Sequence, residues 1–182
     1  MERVLLFGIL SLPVIVLSWK TLFKIDSHGF YRFFSWECIV WLLVCNYKYW
    51  FTNPFSVNQL FSWIFLFAGA YLVIVGALTL KKKGNQSKSR NEEELYAFEK
   101  TSKLVDTGIY KYIRHPLYSS LIFLTWGIYL KNITISLTII SILSTILLFI
   151  TARFDEKECI YYFGDEYKEY MKKSKMFVPL IF

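Results

Sequence analysis

The chain has 182 residues, of which 55% are hydrophobic, 20% aromatic and 19% charged. One soluble core of this length cannot bury so much apolar material, so the composition predicts a protein that lies in a lipid bilayer. The formal net charge at pH 7 is +7. Lysines beside anionic lipid headgroups account for such a charge, and it therefore does not indicate nucleic-acid binding.

Five apolar stretches predict an all-α, polytopic membrane protein with about five transmembrane helices: residues 4–19, 33–51, 57–80, 117–130 and 133–152. The first stretch is followed by no small-residue cleavage site, which favours a retained helix over a signal peptide. The fourth is shorter than the roughly 20 residues that cross a bilayer alone. We therefore expect helices four and five to form a hairpin joined at Lys131 and Asn132.

The hydropathy divides the chain into a three-helix membrane scaffold (residues 1–80), a cytosolic loop (81–103) and a region of two membrane helices with a tail (104–182). Glu37 is ionisable within the second stretch, and its place near an end of that stretch predicts exposure at the interface. In the loop, Asn91 followed by three glutamates is typical of a helix start. A solvated linker explains the same residues equally well.

Basic residues are distributed unevenly along the chain. Segments 20–32, 81–116 and 153–182 contain 18 of the 21 lysines and arginines. Because cytosolic loops are enriched in lysine and arginine, the pattern predicts an N-terminus outside and a C-terminus in the cytosol. The tail from residue 153 to 175 mixes acids, tyrosines and lysines, and is expected to form a helical segment folded against the cytosolic face.

Two common kinds of site are not supported. The chain has only two histidines, His28 and His115, and its three cysteines show no CxxC spacing, so no metal site is predicted. The glycines form no GxGxxG motif, which leaves a Rossmann nucleotide site without support.

Polar residues crowd the entrance to the fourth helix, within residues 103–118. Pro116 fits the first helical turn, which places Arg114 and His115 at the positive N-terminal end of the helix. Unpaired backbone amides at such an end attract an anion. His115 and Tyr118 are three residues apart and share a helix face, so both could contact one ligand.

The fifth helix returns to the same level with Arg153, Asp155, Glu156 and Glu158. We therefore expect carboxylates from one helix end to meet basic and aromatic groups from another. Such a cavity could bind a ligand that carries both charges. A purely structural ion pair is the alternative.

Two linked motifs carry a family resemblance: G-x-Y-x-x-x-R-H-P-x-Y at residues 108–118, then Asp155-Glu156 and F-G-x-x-Y-x-x-Y at residues 163–170. Together they resemble the isoprenylcysteine carboxyl methyltransferase family and the related phospholipid methyltransferases, over about residues 100–182. The resemblance implies a membrane enzyme that uses S-adenosyl-L-methionine, with a cofactor pocket roofed by the C-terminal segment and a lipid-side tunnel for a lipophilic substrate.

The resemblance also implies roles for residues of the region 104–182 and the end of the loop. The expected cofactor-binding residues are Ser102, Lys103, Leu104, Val105, Gly108, Tyr110, Arg114, His115, Pro116, Leu117, Tyr118, Asp155 and Glu156. Tyr118 and Arg153 are the expected catalytic residues. Carboxylate-methylating members carry an arginine one turn before the acidic pair, where this chain has Thr151. Two positions on a helix correspond to about 200° of rotation, so Arg153 does not simply replace it.

The acceptor of the methyl group stays open among oxygen, nitrogen and sulfur nucleophiles. Two other functions also stay open. Sterol reductases of related membrane fold carry an H-P-x-Y element and bind NADPH, although the short chain and the F-G-x-x-Y-x-x-Y tail favour methyl transfer. The third hypothesis is a membrane module without catalytic activity, whose basic loop and acidic tail only pair with each other.

Overall fold

A computed structural model describes residues 1–85 and 99–178. Its six α-helices are α1 (Glu2–Ser18), α2 (His28–Asn46), α3 (Val57–Lys83), α4 (Pro116–Tyr129), α5 (Ile135–Phe163) and α6 (Asp165–Lys173). The described residues are thus all-helical, apart from short turns and one isolated bridge between Ile113 and Lys175. The expected helix start at Asn91 lies outside the described residues.

Two helices, α3 and α5, are long and apolar enough to cross a membrane, by length and composition. At 1.5 Å per residue, the 14 residues of α4 span about 21 Å, short of the roughly 30 Å hydrocarbon layer. The total of five spanning segments therefore stays a prediction from the sequence.

The last two long helices are joined by a tight connection at the end of the bundle remote from the tail. Lys131 in this connection donates to Gln59 Oε1 at 2.9 Å, and its ammonium lies 3.7 Å from the ring centroid of Trp63. A buried ammonium over an indole face is stabilised by the ring quadrupole. These contacts anchor the α4–α5 hairpin to α3.

Small residues let α3 lie close against α4. Ser62, Gly69 and Gly76 are buried and follow one another at intervals of seven residues on one face of α3. A Cβ atom at Gly69 would lie only 3.0 Å from the backbone oxygen of Ser120. Ser62 Oγ also donates to the backbone oxygen of Gly127 at 2.6 Å. Close backbone approach and interhelical hydrogen bonds are how helices associate in lipid.

The outer faces of the bundle are apolar. On α3, Ile64 and Phe67 are exposed, and on α5 Ile139, Ile142 and Ile146 are exposed, each by about half or more. A soluble protein rarely carries such continuous apolar surface. Together with the two long apolar helices, it indicates membrane association.

Two details of the second helix differ from the sequence prediction. It begins at His28, five residues before the apolar stretch, because Glu158 of α5 accepts from both the backbone N–H of His28 (3.1 Å) and its Nδ1 (2.6 Å). Glu37 therefore lies at mid-helix, where it accepts a hydrogen bond from Ser11 Oγ at 2.6 Å. The premise that Glu37 lies near the end of its helix was wrong, and its exposure at the membrane interface stays a prediction.

The site end of the bundle is formed by the C-terminal part of α5 together with the starts of α2 and α4. The 29 residues of α5 span about 43 Å, which exceeds the hydrocarbon thickness. Its acidic residues near position 155 lie in the excess length. Through them α5 contacts both His28 and the residues that precede α4.

Candidate functional site

The turn that precedes α4 depends on a left-handed residue. Gly108 has φ of 64°, a conformation that glycine adopts without strain, and it opens a 3₁₀ turn at Gly108–Lys111. Pro116 then occupies the first turn of α4, as expected from its fixed φ and missing N–H. This geometry brings Arg114 and His115 to the end of α5.

The segment after α6, residues 174–178, pairs with the residues before α4. Backbone N–H groups of Arg114 and His115 donate to the carbonyls of Lys175 (2.8 Å) and Met176 (3.1 Å), and the N–H of Lys175 donates to Tyr112 (2.9 Å). The amides of Arg114 and His115 are therefore not available to an anion, and the expectation of an anion at the start of α4 rests on the first-turn amides that follow Pro116. Phe177 is buried beside His115, with ring centroids 6.2 Å apart.

Glu156 is the internal counter-ion of the site. It is 2% exposed, and its Oε1 accepts from Arg114 Nε at 2.8 Å and from Nη2 at 2.7 Å. Arg153 Nη1 donates to its other oxygen at 3.1 Å. Arg114 also donates to the carbonyls of Met171 and Ser174. Two guanidinium N–H groups thus converge on one carboxylate oxygen, and Arg114 links Glu156 of α5 to α6 and the C-terminal segment.

His115 lies between the two adjacent acids of α5. Its Nδ1 is 3.4 Å from Asp155 Oδ2, and its Nε2 is 3.5 Å from Glu156 Oε1. Burial alone would lower the pKa of this imidazole, but the adjacent carboxylates of Asp155 and Glu156 outweigh burial, and the pKa is raised. The site thus favours a cationic His115.

A cavity of about 90 Å³, here called the first cavity, opens beside these groups. Its aromatic lining consists of Tyr110, Tyr118, Phe163, Tyr167 and Tyr170. Its polar lining consists of Glu99, Thr101, Arg114, His115 and Asp155, and the remaining contacts come from Leu80, Leu104, Val105, Pro116, Leu117 and Cys159. Burial raises the pKa of Tyr110 and of Tyr167 well above the ordinary value, so both phenols are neutral.

Most residues that the resemblance implies for the cofactor meet at this cavity, in three groups: Leu104, Val105 and Tyr110; Arg114 through Tyr118; and Asp155. Ser102, Lys103 and Gly108 are exposed and do not line it, and Glu156 lies behind His115 and Arg114. Arg153 also lies outside the cavity, because its half-exposed side chain turns to Glu156.

Other lining residues were not anticipated. Leu80 lies in the last turn of α3, which the sequence assigned to the scaffold, and Glu99 and Thr101 belong to the segment assigned to the cytosolic loop. Tyr167 and Tyr170 belong to the quoted tail motif, but their place in the lining was not foreseen. The spacing F-G-x-x-Y-x-x-Y could have signalled it, since residues three apart share a helix face.

One group of potential metal ligands lies near the site. Ligand atoms of His28, Asp155 and Glu158 lie within 4.8 Å of one another. Two of these residues already bind each other, since His28 Nδ1 is 2.6 Å from Glu158 Oε2. The contact braces the start of α2 against α5, which is a sufficient account of the group.

Comparison with known proteins gives two kinds of match. Residues 64–165 match the family described as phospholipid methyltransferase. The chain is also similar to methanethiol S-methyltransferase 1 of Bradyrhizobium diazoefficiens, at 31% identity over 71 residues, or 39% of this chain and 24% of the relative. A methanethiol S-methyltransferase of Pseudomonas deceptionensis is 30% identical over 71 residues, or 39% of this chain and 26% of the relative.

The matched segment therefore spans about a quarter of the length of these curated relatives. No solved structure matches the chain significantly. The family match covers more than half of the chain and includes most of α3 and all of α4 and α5. It also contains His115, Asp155 and Leu80 of the first cavity. The chain belongs to the phospholipid methyltransferase family.

Proposed function

We propose that this chain transfers the methyl group of S-adenosyl-L-methionine to a small, membrane-soluble acceptor, with the donor bound in the first cavity. The observation that carries the proposal is the meeting of cationic, anionic and aromatic side chains in that cavity. S-adenosyl-L-methionine supplies an electrophilic methyl on a sulfonium, next to an amino-acid carboxylate and ammonium. The cationic, anionic and aromatic side chains match its three charged groups, which are the carboxylate, the ammonium and the sulfonium.

Each lining group has a separate task in this proposal. Asp155 pairs with the ammonium, and His115 and Arg114 present positive charge to the carboxylate. Tyr118 stacks on His115 with ring centroids 5.4 Å apart, and its ring face suits a sulfonium. Glu156 keeps Arg114 oriented. Arg153 has no task here because it does not reach the cavity.

Binding requires the first cavity to widen. Ligand pockets for molecules of this size usually enclose roughly 300–1,000 Å³, and the first cavity encloses about 90 Å³. Its aromatic roof comes from α6, which is joined to α5 through Gly164 in the left-handed region (φ 63°). We propose that α6 and residues 174–178 move outward to admit the donor and close over it. Closure excludes water, which strengthens the charge interactions.

We further propose sulfur as the methylated atom. The two curated relatives are named as S-methyltransferases of methanethiol, a small thiol. The family description names phospholipids instead. In the proposed step the thiol loses its proton to solvent, the thiolate sulfur bonds to the methyl carbon as the sulfonium–methyl bond breaks, and S-adenosylhomocysteine leaves as a neutral thioether. Little further acid–base chemistry is needed, so positioning dominates. Holding the two reacting atoms about 3–3.5 Å apart supplies much of the rate enhancement.

The test is isothermal titration of the full chain with S-adenosylhomocysteine, both in detergent and in lipid nanodiscs. We expect the wild type to bind, and Asp155→Asn to bind about tenfold more weakly or worse. A hydrogen bond to a charged group contributes about 1.5–3 kcal/mol, and 1.4 kcal/mol is one factor of ten. Asp165→Asn is the matched control because the side chain of Asp165 is 90% exposed and does not line the first cavity.

Transfer itself is measured by mass spectrometry of the methylated product, with 1-butanethiol and phosphatidylethanolamine vesicles as separate acceptors. Failure of the wild type to bind S-adenosylhomocysteine in detergent and in nanodiscs alike would overturn the proposal. Saturable binding of NADPH instead would point to the reductase alternative.

A further inference from the structure

A second cavity lies beside the first and opens on the other side of Tyr118. It encloses about 290 Å³ among α1, α2, α3 and α4. Glu99, Leu117 and Tyr118 line both cavities, so these three residues form the wall between them. A ligand in one cavity is therefore separated from a ligand in the other by a single layer of side chains.

The second cavity has an apolar mouth and a polar floor. At the mouth, Leu17 of α1 is 61% exposed and Val73 of α3 is 42% exposed. At the floor, Tyr118, Ser120 and Arg32 are buried. Because the surrounding helix faces are apolar, the mouth opens toward lipid. A membrane-soluble molecule could thus enter without crossing water.

Arg32 is the distinctive residue of this cavity. It is 7% exposed, the most buried arginine in the described part of the chain, and its Nη1 lies 3.6 Å from Glu99 Oε2. Burial of a guanidinium among apolar side chains is costly unless charged groups compensate it. Arg32 also lies outside residues 64–165, the segment that matches the family, so the match does not explain it.

We infer that the second cavity is the acceptor site and that Arg32 selects an acceptor with a small apolar body and one anionic, or readily ionised, head group. The inference rests on the proposed donor site in the first cavity. Arginine beside a thiol favours the thiolate, which is the nucleophilic form. Because Tyr118 lines both cavities, its ring must turn aside before the acceptor sulfur can reach the methyl carbon in line. The new sulfur–methyl bond then forms as the sulfonium–methyl bond breaks, and S-adenosylhomocysteine leaves.

The volume limits the acceptor. The second cavity, at about 290 Å³, lies at the lower limit of the roughly 300–1,000 Å³ that ligand pockets usually enclose. A short-chain thiol fits within that space, whereas the two acyl chains of a phospholipid would remain outside. For the proposed methyl transfer, the second cavity therefore favours small acceptors over lipids.

The mouth provides the cleanest test. Val73→Trp fills the mouth with an indole, and Ile74→Trp places the same group on the lipid-facing side of α3, outside the cavity lining. We expect Val73→Trp to raise the KM for 1-butanethiol at least tenfold and Ile74→Trp to leave it within about twofold. Both variants should keep wild-type affinity for S-adenosylhomocysteine. Equal KM values for the two variants would overturn the inference.

The head-group role is tested by Arg32→Gln, with Arg32→Lys as the conservative variant. We expect Arg32→Gln to raise the KM for 1-butanethiol about tenfold or more, as loss of a charge-assisted contact does, with kcat changed less. Arg32→Lys should recover part of the loss. A purely structural Arg32 would instead lower Tm and donor affinity without this KM effect.

Failure of the inference differs from failure of the proposed function. If the wild type does not bind S-adenosylhomocysteine, the donor site is wrong. If it binds and methylates 1-butanethiol, but the Val73 and Arg32 variants keep a wild-type KM, only the acceptor site is wrong. Methylation of phosphatidylethanolamine vesicles in preference to 1-butanethiol would likewise refute the size limit.

Discussion

At the scale of single residues, His115 is the group whose ionisation the structure controls most closely. Asp155 and Glu156 face its two ring nitrogens at 3.4 and 3.5 Å. Burial works against the cation, and the two carboxylates outweigh burial, so the folded pKa lies above the ordinary value. A raised pKa means that the folded state binds the proton more tightly than the unfolded state does.

This linkage predicts how stability depends on pH. The contribution of His115 is fully present below its unfolded pKa of about 6.5 and disappears as pH rises through the higher folded pKa. We expect the Tm of the wild type, relative to His115→Gln, to be highest near pH 6 and to decline toward pH 9. At this chain length, a change of 1 kcal/mol in the free energy of unfolding shifts Tm by about 2–4 °C. Thermal melts in detergent measure this Tm difference across the pH range. A Tm difference between the wild type and His115→Gln that grows with pH would contradict the prediction.

The sequence revealed the residues of the site that lie close together in the chain. Arg114 through Tyr118 could be found because proline, histidine and tyrosine stand at fixed spacing before an apolar helix. Arg32 could not be found in the same way. It looked like part of a basic loop, and only the contact with Glu99, which lies 67 positions later in the chain, gives it a place in a cavity.

At the scale of helices, hydropathy located the five apolar segments but not their ends. α2 begins at His28 because Glu158 binds its first backbone N–H and its ring, and a local pattern cannot show a partner 130 residues away. The α4–α5 hairpin could be predicted from the sequence, because a 14-residue apolar stretch is too short to cross a bilayer alone and only Lys131 and Asn132 separate it from the next stretch.

The seam between α3 and α4 gives a prediction at the same scale. A Cβ at Gly69 would meet the backbone oxygen of Ser120 at 3.0 Å, so Gly69→Val must push α4 away from α3. We expect a loss of about 1–3 kcal/mol, as in other overpacked cores. Ala70→Val is the control, because Ala70 is exposed on the same helix.

Thermal melts in nanodiscs compare these two variants. Because Ser120 also lines the second cavity, the displacement should weaken turnover of 1-butanethiol as well. Equal Tm values for Gly69→Val and Ala70→Val would show that the seam is not tightly packed.

At the scale of the whole molecule, the described residues combine a bundle with apolar outer faces and a polar end that holds the charged residues of both cavities. Composition alone predicted a protein that lies in a bilayer. The uneven distribution of lysine and arginine predicted which segments lie on the same side of the membrane. The orientation of that side toward the cytosol stays a prediction. The site end is built on α5, whose length of about 43 Å exceeds the roughly 30 Å thickness of a hydrocarbon layer.

The arrangement predicts opposite outcomes for one substitution at two exposed positions of α5. Ile146 lies near the middle of the apolar part and is 50% exposed, whereas Tyr161 lies in the excess length and is 92% exposed. In lipid, aspartate at the first position costs about 2.5–3.5 kcal/mol, while at the second it stays in water and costs little. We expect Ile146→Asp to lower Tm in nanodiscs by about 5–14 °C, using about 2–4 °C per kcal/mol, and Tyr161→Asp to change it far less. In a soluble protein both exposed changes would be nearly neutral, so equal Tm values would argue that α5 does not span the bilayer.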